Sequence, residues 1–131
     1  MPGFQADIIG VGCPPALAQN INGVGVGGLT ATGSTQVTAL LVTACSNLFT
    51  TVAASTGAIL PIVSATQQQC RAGAGDIIAI YNNGANPLAV YPPVGQSIGT
   101  LSANTAISVP AGKSGMFSPI GNGNYVYFLS A

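Results

Sequence analysis

The chain has 131 residues, of which 48% are hydrophobic and only 3% are charged, and its formal net charge is zero. Two cationic side chains cannot neutralise the several phosphates that nucleic-acid binding requires, so a nucleic-acid partner is excluded. A free monomer normally stays soluble through interspersed surface charge. We therefore expect much of the surface to be covered by further copies of the chain or by a partner.

The sequence lacks the groups that most enzymes use. It contains neither histidine nor glutamate, which removes Ser-His and Cys-His pairs and imidazole metal ligands. Asp7 and Asp76 are its only carboxylate side chains, and we expect Asp76 to cap backbone amides at a strand start rather than form a glycosidase pair. The glycine run at 23–28 has neither the preceding strand nor the later acidic residue of a dinucleotide site. The sequence thus predicts no catalytic residue, no metal site and no cofactor.

A membrane-spanning helix is a rival explanation for the apolar composition, because no charged residue lies between Asp7 and Arg71. Residues 37–63 are the most apolar part, but Thr, Ser, Asn and Gly interrupt them repeatedly. Their Thr and Val content favours strands over a helix of about 20 apolar residues. The N-terminus also lacks the basic region of a secretory signal. We therefore expect a protein made in the cytoplasm and not bound to a membrane.

The three cysteines, Cys13, Cys45 and Cys70, show no Cys-x-x-Cys spacing. They are interpreted as reduced, buried small hydrophobic residues. One intramolecular disulfide plus a free thiol is the alternative.

The first 30 residues are rich in glycine and carry scattered apolar side chains. We expect an extended N-terminal arm over residues 1–30 that needs something to lie against, with a disordered terminus as the alternative. A single β-sandwich domain is expected over residues 31–131. The candidate partner contacts in the arm are Phe4, Ile8, Ile9 and Val11.

The first part of the predicted domain contains three candidate strands, residues 36–45, 48–54 and 58–63. Ser46 and Asn47 are expected to separate the first two, and Pro61 interrupts the third, which suggests an edge strand or a bulge. A helix through residues 40–54 is the competing interpretation. The Thr and Val content and the Ser-Asn break argue against that helix.

Residues 75–98 form two apolar runs on either side of Asn82–Asn86, the pattern of a β-hairpin. In the first run, Ile78 and Ile80 share one face, while Ile77, Ala79 and Tyr81 share the other. Because both faces are apolar, the segment is expected to lie between layers or against a partner. Prolines 92 and 93 should end the second strand, since neither donates to a ladder.

Short apolar segments bounded by Gly, Pro, Asn or Ser follow, the pattern of a sandwich or barrel. They are residues 96–101, 106–109, 115–120 and 125–129. In the last of them Tyr125, Tyr127 and Leu129 face one way, and Val126 and Phe128 face the other. A strand that is apolar on both sides should be paired inside a sheet.

The four tyrosines, Tyr81, Tyr91, Tyr125 and Tyr127, have two interpretations. They pack in the core or at an interface, or they line a carbohydrate-binding face by ring stacking. Tyr125 and Tyr127 complete the predicted partner interface.

Several stretches resemble small tailed-bacteriophage virion proteins of the capsid cement or decoration type, over most of the chain from about Leu29 onward. The most distinctive is Gly84-Ala-Asn-Pro-Leu-Ala-Val-Tyr-Pro92. Others are Gln36-Val-Thr-Ala-Leu40, Leu48-Phe-Thr-Thr-Val-Ala-Ala54, Gly57-Ala-Ile-Leu-Pro61, Gly75-Asp-Ile-Ile-Ala-Ile-Tyr-Asn82, Gly95-Gln-Ser-Ile98 and the closing tyrosine-rich strand. The chain departs from that family in its extra cysteines and its glycine-rich arm.

This resemblance implies a β-sandwich of jelly-roll type that is not an enzyme. It also implies a homotrimer on the outside of a virion capsid, which binds and stabilises the shell of the major capsid protein through the arm and the sandwich edge. A receptor- or glycan-binding module of a phage tail fibre or spike is the alternative function.

Overall fold

The computed structural model describes residues 25–63, 71–72, 77–120 and 124–131. Within these ranges the chain forms twelve β-strands and no helix. The strands are β1 Gly25–Thr30, β2 Leu40–Leu41, β3 Ser46–Thr51, β4 Gly57–Ile59, β5 Ile62–Val63, β6 Arg71–Ala72, β7 Ile78–Asn82, β8 Leu88–Tyr91, β9 Ser97–Ile98, β10 Ile107–Val109, β11 Ser114–Pro119 and β12 Asn124–Leu129.

Most of these strands form two sheets. One has six strands in the order β1-β3-β7-β11-β12-β9, the other has four in the order β10-β8-β4-β2, and β5 and β6 make a separate pair. The buried side chains of both sheets form one hydrophobic cluster, which includes Phe49, Ile80, Leu88, Val90 and Phe117. The predicted all-β sandwich is therefore confirmed. As predicted, β12 is paired on both of its edges.

Strand directions show how the sandwich is built. Strands β1, β3 and β7 are parallel neighbours in the larger sheet, and β2, β4 and β8 are parallel neighbours in the smaller one. The chain thus crosses between the sheets in three successive arches that stack on one another, as the coils of a β-solenoid do. Antiparallel strands β10 and β11 follow at the β7–β8 end of the stack. These directions differ from the antiparallel Greek keys of a jelly roll.

The hairpin predicted for residues 75–98 is wrong. Strand β7 pairs with β3 and β11, whereas β8 pairs with β4 and β10 in the opposite sheet. The reason is the buried side chain of Asn82, whose amide donates to the carbonyls of Asn86 and Val109, both at 2.9 Å. Its Oδ1 accepts a hydrogen bond from the Gly84 amide at 3.0 Å. These bonds hold the connection as an arch from one sheet to the other.

The strand boundaries near β3 also differ from the prediction. Asn47, expected to break the chain, is buried within β3, and its amide donates to the carbonyls of Ala44 at 2.8 Å and Ala79 at 3.2 Å. The strand expected over residues 36–45 shrinks to β2, Leu40–Leu41. The predicted break at Pro61 is confirmed, because β4 ends before it and β5 begins after it. Strand β8 likewise ends at the residue before Pro92, as predicted.

The predicted arm extends too far into the domain. Strand β1, Gly25–Thr30, pairs in parallel with β3 and belongs to the six-stranded sheet. Between Val26 and Leu29 the pairing slips by one residue, and Gly28 there has a φ of 70°. This is a β-bulge with glycine in the left-handed region. The last six residues of the predicted arm are thus part of the sandwich.

Stacking of the arches explains why position 84 is a glycine. A Cβ at Gly84 would lie 2.6 Å from the Cβ of Val52, which belongs to the neighbouring arch between β3 and β4. The Gly84→Ala substitution should therefore lower the free energy of unfolding by about 1–3 kcal/mol through overpacking. Denaturant unfolding measures the change. Gly27→Ala is the matched control, since its Cβ would meet only a Leu48 methyl group at 3.9 Å. Equal stability of the two variants would contradict the stacking.

Candidate interaction surface

Strand β7 separates a buried face from an exposed one. Ile78 and Ile80 point into the core and are 5% and 0% exposed. Just before and within the strand, Ile77 and Tyr81 point outward and are 55% and 44% exposed. The predicted division of this strand into two apolar faces is confirmed, but the described residues leave the outward face largely uncovered.

Strand β12 presents the same kind of face two strands away. Val126 and Phe128 are 46% and 65% exposed. Met116 of β11 connects the two strands, because the register places it opposite Ala79 on one side and Phe128 on the other. The outer face, as the term is used below, consists of Leu48, Ile77, Ala79, Tyr81, Met116, Val126 and Phe128.

The outer face is not flat. It contains a groove of about 320 Å³ at the Ile77 end and a smaller hollow of about 100 Å³ at the Tyr81 end, and Met116 and Phe128 line both. The groove is lined by Ile77, Met116, Phe117, Ser118, Val126, Tyr127 and Phe128. All but one of these are apolar or aromatic, so the groove suits apolar side chains of a protein partner.

Among the described residues, the polar side chains that line the outer face are uncharged serines. Ser114, Ser118 and Ser130 line its two hollows. Lys113, just before β11, is exposed, and its Nζ donates to the carbonyl of Ala131. A partner can cover the apolar side chains of this face without desolvating a charge, which is the costly step in burying polar surface.

The two tyrosines predicted as partner contacts differ in position. Tyr125 is fully buried, and its hydroxyl donates to the Pro61 carbonyl at 2.6 Å. Its ring therefore belongs to the core of this chain and offers no surface to a partner. Tyr127 is 39% exposed, lines the groove and stacks on Phe117 with ring centroids 6.3 Å apart. A partner contact by Tyr127 stays a prediction.

Other candidate residues lie outside the described ranges. These are the arm residues Phe4, Ile8, Ile9 and Val11, the carboxylates Asp7 and Asp76, and the thiols Cys13 and Cys70. Cys45 is described, and it is an exposed free thiol rather than the buried one expected. In the return from β2, Val42 and Ala44 are buried, and Cys45 points away from them.

The tyrosines do not gather on one face. Tyr81 lies on the outer face, Tyr125 in the core, and Tyr91 is half-buried in the smaller sheet, with its hydroxyl 3.4 Å from the Ser34 carbonyl. Sequence reasoning missed Met116, which joins two separate apolar strands into one surface. Its only signal was the alternation of β11, and the register with β7 and β12 is not visible in the sequence.

Within the described part of the chain, no three Cys, Asp, Glu or His side chains gather in a group that would hold a metal ion. None of the same residues belongs to a helix of the length and hydropathy needed to span a membrane. Comparison of the whole sequence and fold with protein-family models, curated proteins and solved structures gave no match.

The burial of Tyr125 generates a direct test. Tyr125→Phe removes the hydroxyl that satisfies the Pro61 carbonyl, so we expect a loss of about 1–2 kcal/mol in the free energy of unfolding. Tyr127→Phe removes the hydroxyl from a partly exposed ring. It should therefore change the free energy of unfolding by less than about 0.5 kcal/mol. Urea unfolding of both variants gives the comparison. A larger loss for Tyr127→Phe would contradict the assignment of these two side chains.

Proposed function

We propose that the chain is a non-enzymatic structural protein of a bacteriophage virion, a capsid cement or decoration protein that acts as a homotrimer. The observation that carries the proposal is the outer face, an apolar surface whose described residues carry no charge and whose Ile77 and Phe128 are more than half exposed. Contiguous exposed apolar patches on soluble proteins mark interaction sites. The sequence resemblance indicates the type of assembly. The charge content of 3% explains why the chain would be part of an assembly, because so few charges do not keep a free monomer soluble.

Charge content and the outer face point to permanent rather than transient contact. Interfaces of obligate complexes are more apolar than those of transient ones and resemble a domain core cut in half. Ile77 and Phe128 are more than half exposed. Covering each of them gains about 1–2 kcal/mol from the apolar area removed from water. Each apolar side chain that a partner covers on this face therefore adds to the binding free energy.

A cement protein works by mass action. It binds the assembled shell of the major capsid protein and not the separated subunits, so its binding free energy adds to the stability of the shell. In this proposal the outer face and the N-terminal arm supply the contacts within the homotrimer and with the shell, on the exterior of the capsid. No described tyrosine cluster favours the alternative of a glycan-binding module.

Polar substitutions on the outer face test the proposal. The double variant Ile77→Ser, Phe128→Ser should weaken association by about 2–4 kcal/mol, or about 30- to 1000-fold in the dissociation constant. Light scattering reports the mass of the purified protein, and cosedimentation with tailed-phage capsids stripped of accessory proteins reports capsid binding. Val37→Ser is the matched control, because Val37 is 82% exposed but lies in the connection from β1 to β2.

The outcomes separate clearly. A trimer that pellets with capsids at a fixed ratio, is weakened by the double variant and is unaffected by Val37→Ser supports the proposal. A monodisperse wild-type monomer that does not bind capsids overturns it. Near-ultraviolet circular dichroism of each variant verifies that the fold is retained.

A further inference from the structure

We propose that the groove of the outer face binds the N-terminal segment, residues 1–24, of a second copy of this chain. The copies would then be joined by exchanged arms. The inference rests on the homo-oligomer of the proposed function and names the occupant of its apolar surface. Its basis is the point at which the described chain begins, the direction of β1 and the chemistry of the segment that precedes it.

The described chain begins at the level of the groove. Gly25, the first residue of β1, lies opposite Ser46, and Ser46 lies opposite Ala79. Met116 and Phe128 continue the same row across the sheet. The next outward-facing row of the sheet, two residues toward the start of β7, contains Ile77 and Val126 and forms the end of the groove.

The direction of β1 favours a neighbouring copy over the chain's own groove. Strands β1, β3 and β7 are parallel, so the chain that precedes β1 leaves at the same end of the sheet as Ile77. A straight continuation passes beyond that end and away from its own outer face. To reach its own groove the segment must instead turn sideways across about 14 Å, three strand spacings, to β11. A copy placed beyond the end of the sheet receives the segment without that turn.

Length and composition fit the groove. A stretch of 24 residues spans up to about 80 Å when extended, which is ample for the next subunit of a compact oligomer. The segment carries Phe4, Ile8, Ile9 and Val11, with Asp7 as its single charged side chain. A groove of about 320 Å³ is at the small end of ligand pockets and suits a few side chains rather than a folded element.

Symmetry completes the inference. Each copy has one segment and one groove, so the contact is heterologous and runs from head to tail. Such a contact closes into a ring when the rotation between copies permits, and a trimer is one such ring. The apolar side chains of the segment, Phe4, Ile8, Ile9 and Val11, then meet the groove side chains Ile77, Met116, Val126 and Phe128 of the next copy.

The test uses two full-length proteins, each with a single thiol. The first keeps Cys13 and carries Cys45→Ser and Cys70→Ser. The second carries serine at all three native cysteines together with Val126→Cys in the groove. The two are mixed, allowed to exchange subunits and treated with a short bis-maleimide crosslinker. The matched control replaces Val126→Cys with Ser108→Cys, which is exposed on β10 of the other sheet.

We expect a mixed dimer on denaturing gels, at about ten times the yield of the Ser108→Cys control, because a docked segment raises the effective concentration of the thiol pair. The cysteine-free protein should keep the mass of the wild type. Should Val126→Cys impair folding, Phe128→Cys provides a second position on the same groove, since that side chain is 65% exposed.

Two results would overturn the inference. Equal yields in the groove and control mixtures, with an intact oligomer that still binds capsids, would refute arm exchange and leave the proposed function standing. A chain with both Cys13 and Val126→Cys that crosslinks only within itself would show that the segment covers its own groove. A wild-type protein that is monomeric and does not bind capsids would instead refute the proposed function itself.

Discussion

The stack of arches depends on one buried polar side chain, Asn82, at the end of β7. Its amide group binds the carbonyls of Asn86 and Val109, and its Oδ1 accepts from Gly84. Its backbone amide donates to the Lys113 carbonyl at 2.9 Å. A buried polar group without a partner costs about 1–3 kcal/mol, so arrangements that keep these bonds are favoured. Asn82 thereby fixes the crossing from the larger sheet to the smaller one.

A second buried asparagine, near the start of β3, also fixes a connection by hydrogen bonds to backbone carbonyls. Asn47 is buried at the start of β3, and its amide binds the carbonyls of Ala44 and Ala79. These bonds tie the return from β2 to the neighbouring strand β7. Both asparagines point inward among apolar side chains, so the outer face is left to the residues that alternate with them.

Part of this fold follows from local sequence pattern, because strand alternation and proline breaks act over a few residues. The two faces of β7 and the ends of β4 and β8 at Pro61 and Pro92 are of this kind. The arch between β7 and β8 is not. A five-residue connection rich in Asn and Gly suits a hairpin equally well, and the choice depends on the burial of Asn82, a tertiary property.

The outer face also depends partly on local sequence pattern and partly on tertiary arrangement. Alternation marks Ile77 with Tyr81, and Val126 with Phe128, as two apolar pairs. They become one surface only because β11 lies between β7 and β12 and places Met116 in the gap. That register joins segments about 45 residues apart in sequence, a separation over which local pattern carries no information. Tyr125 and Tyr127 likewise look equivalent in sequence, yet one is core and the other borders the groove.

The edges of the sheets are less suited to association than the outer face. Exposed strand edges invite pairing with other chains, and proteins limit this with short or bulged edge strands. Here β2 and β9 have two residues each, and β1 is interrupted by the bulge at Gly28. Among the described residues the outer face has no comparable protection, and its Phe128 and Ile77 side chains are more than half exposed. The sheet limits backbone pairing at its edges but leaves its face apolar, so it favours association through side chains. Side-chain contacts select a partner by its shape, whereas backbone pairing accepts any strand.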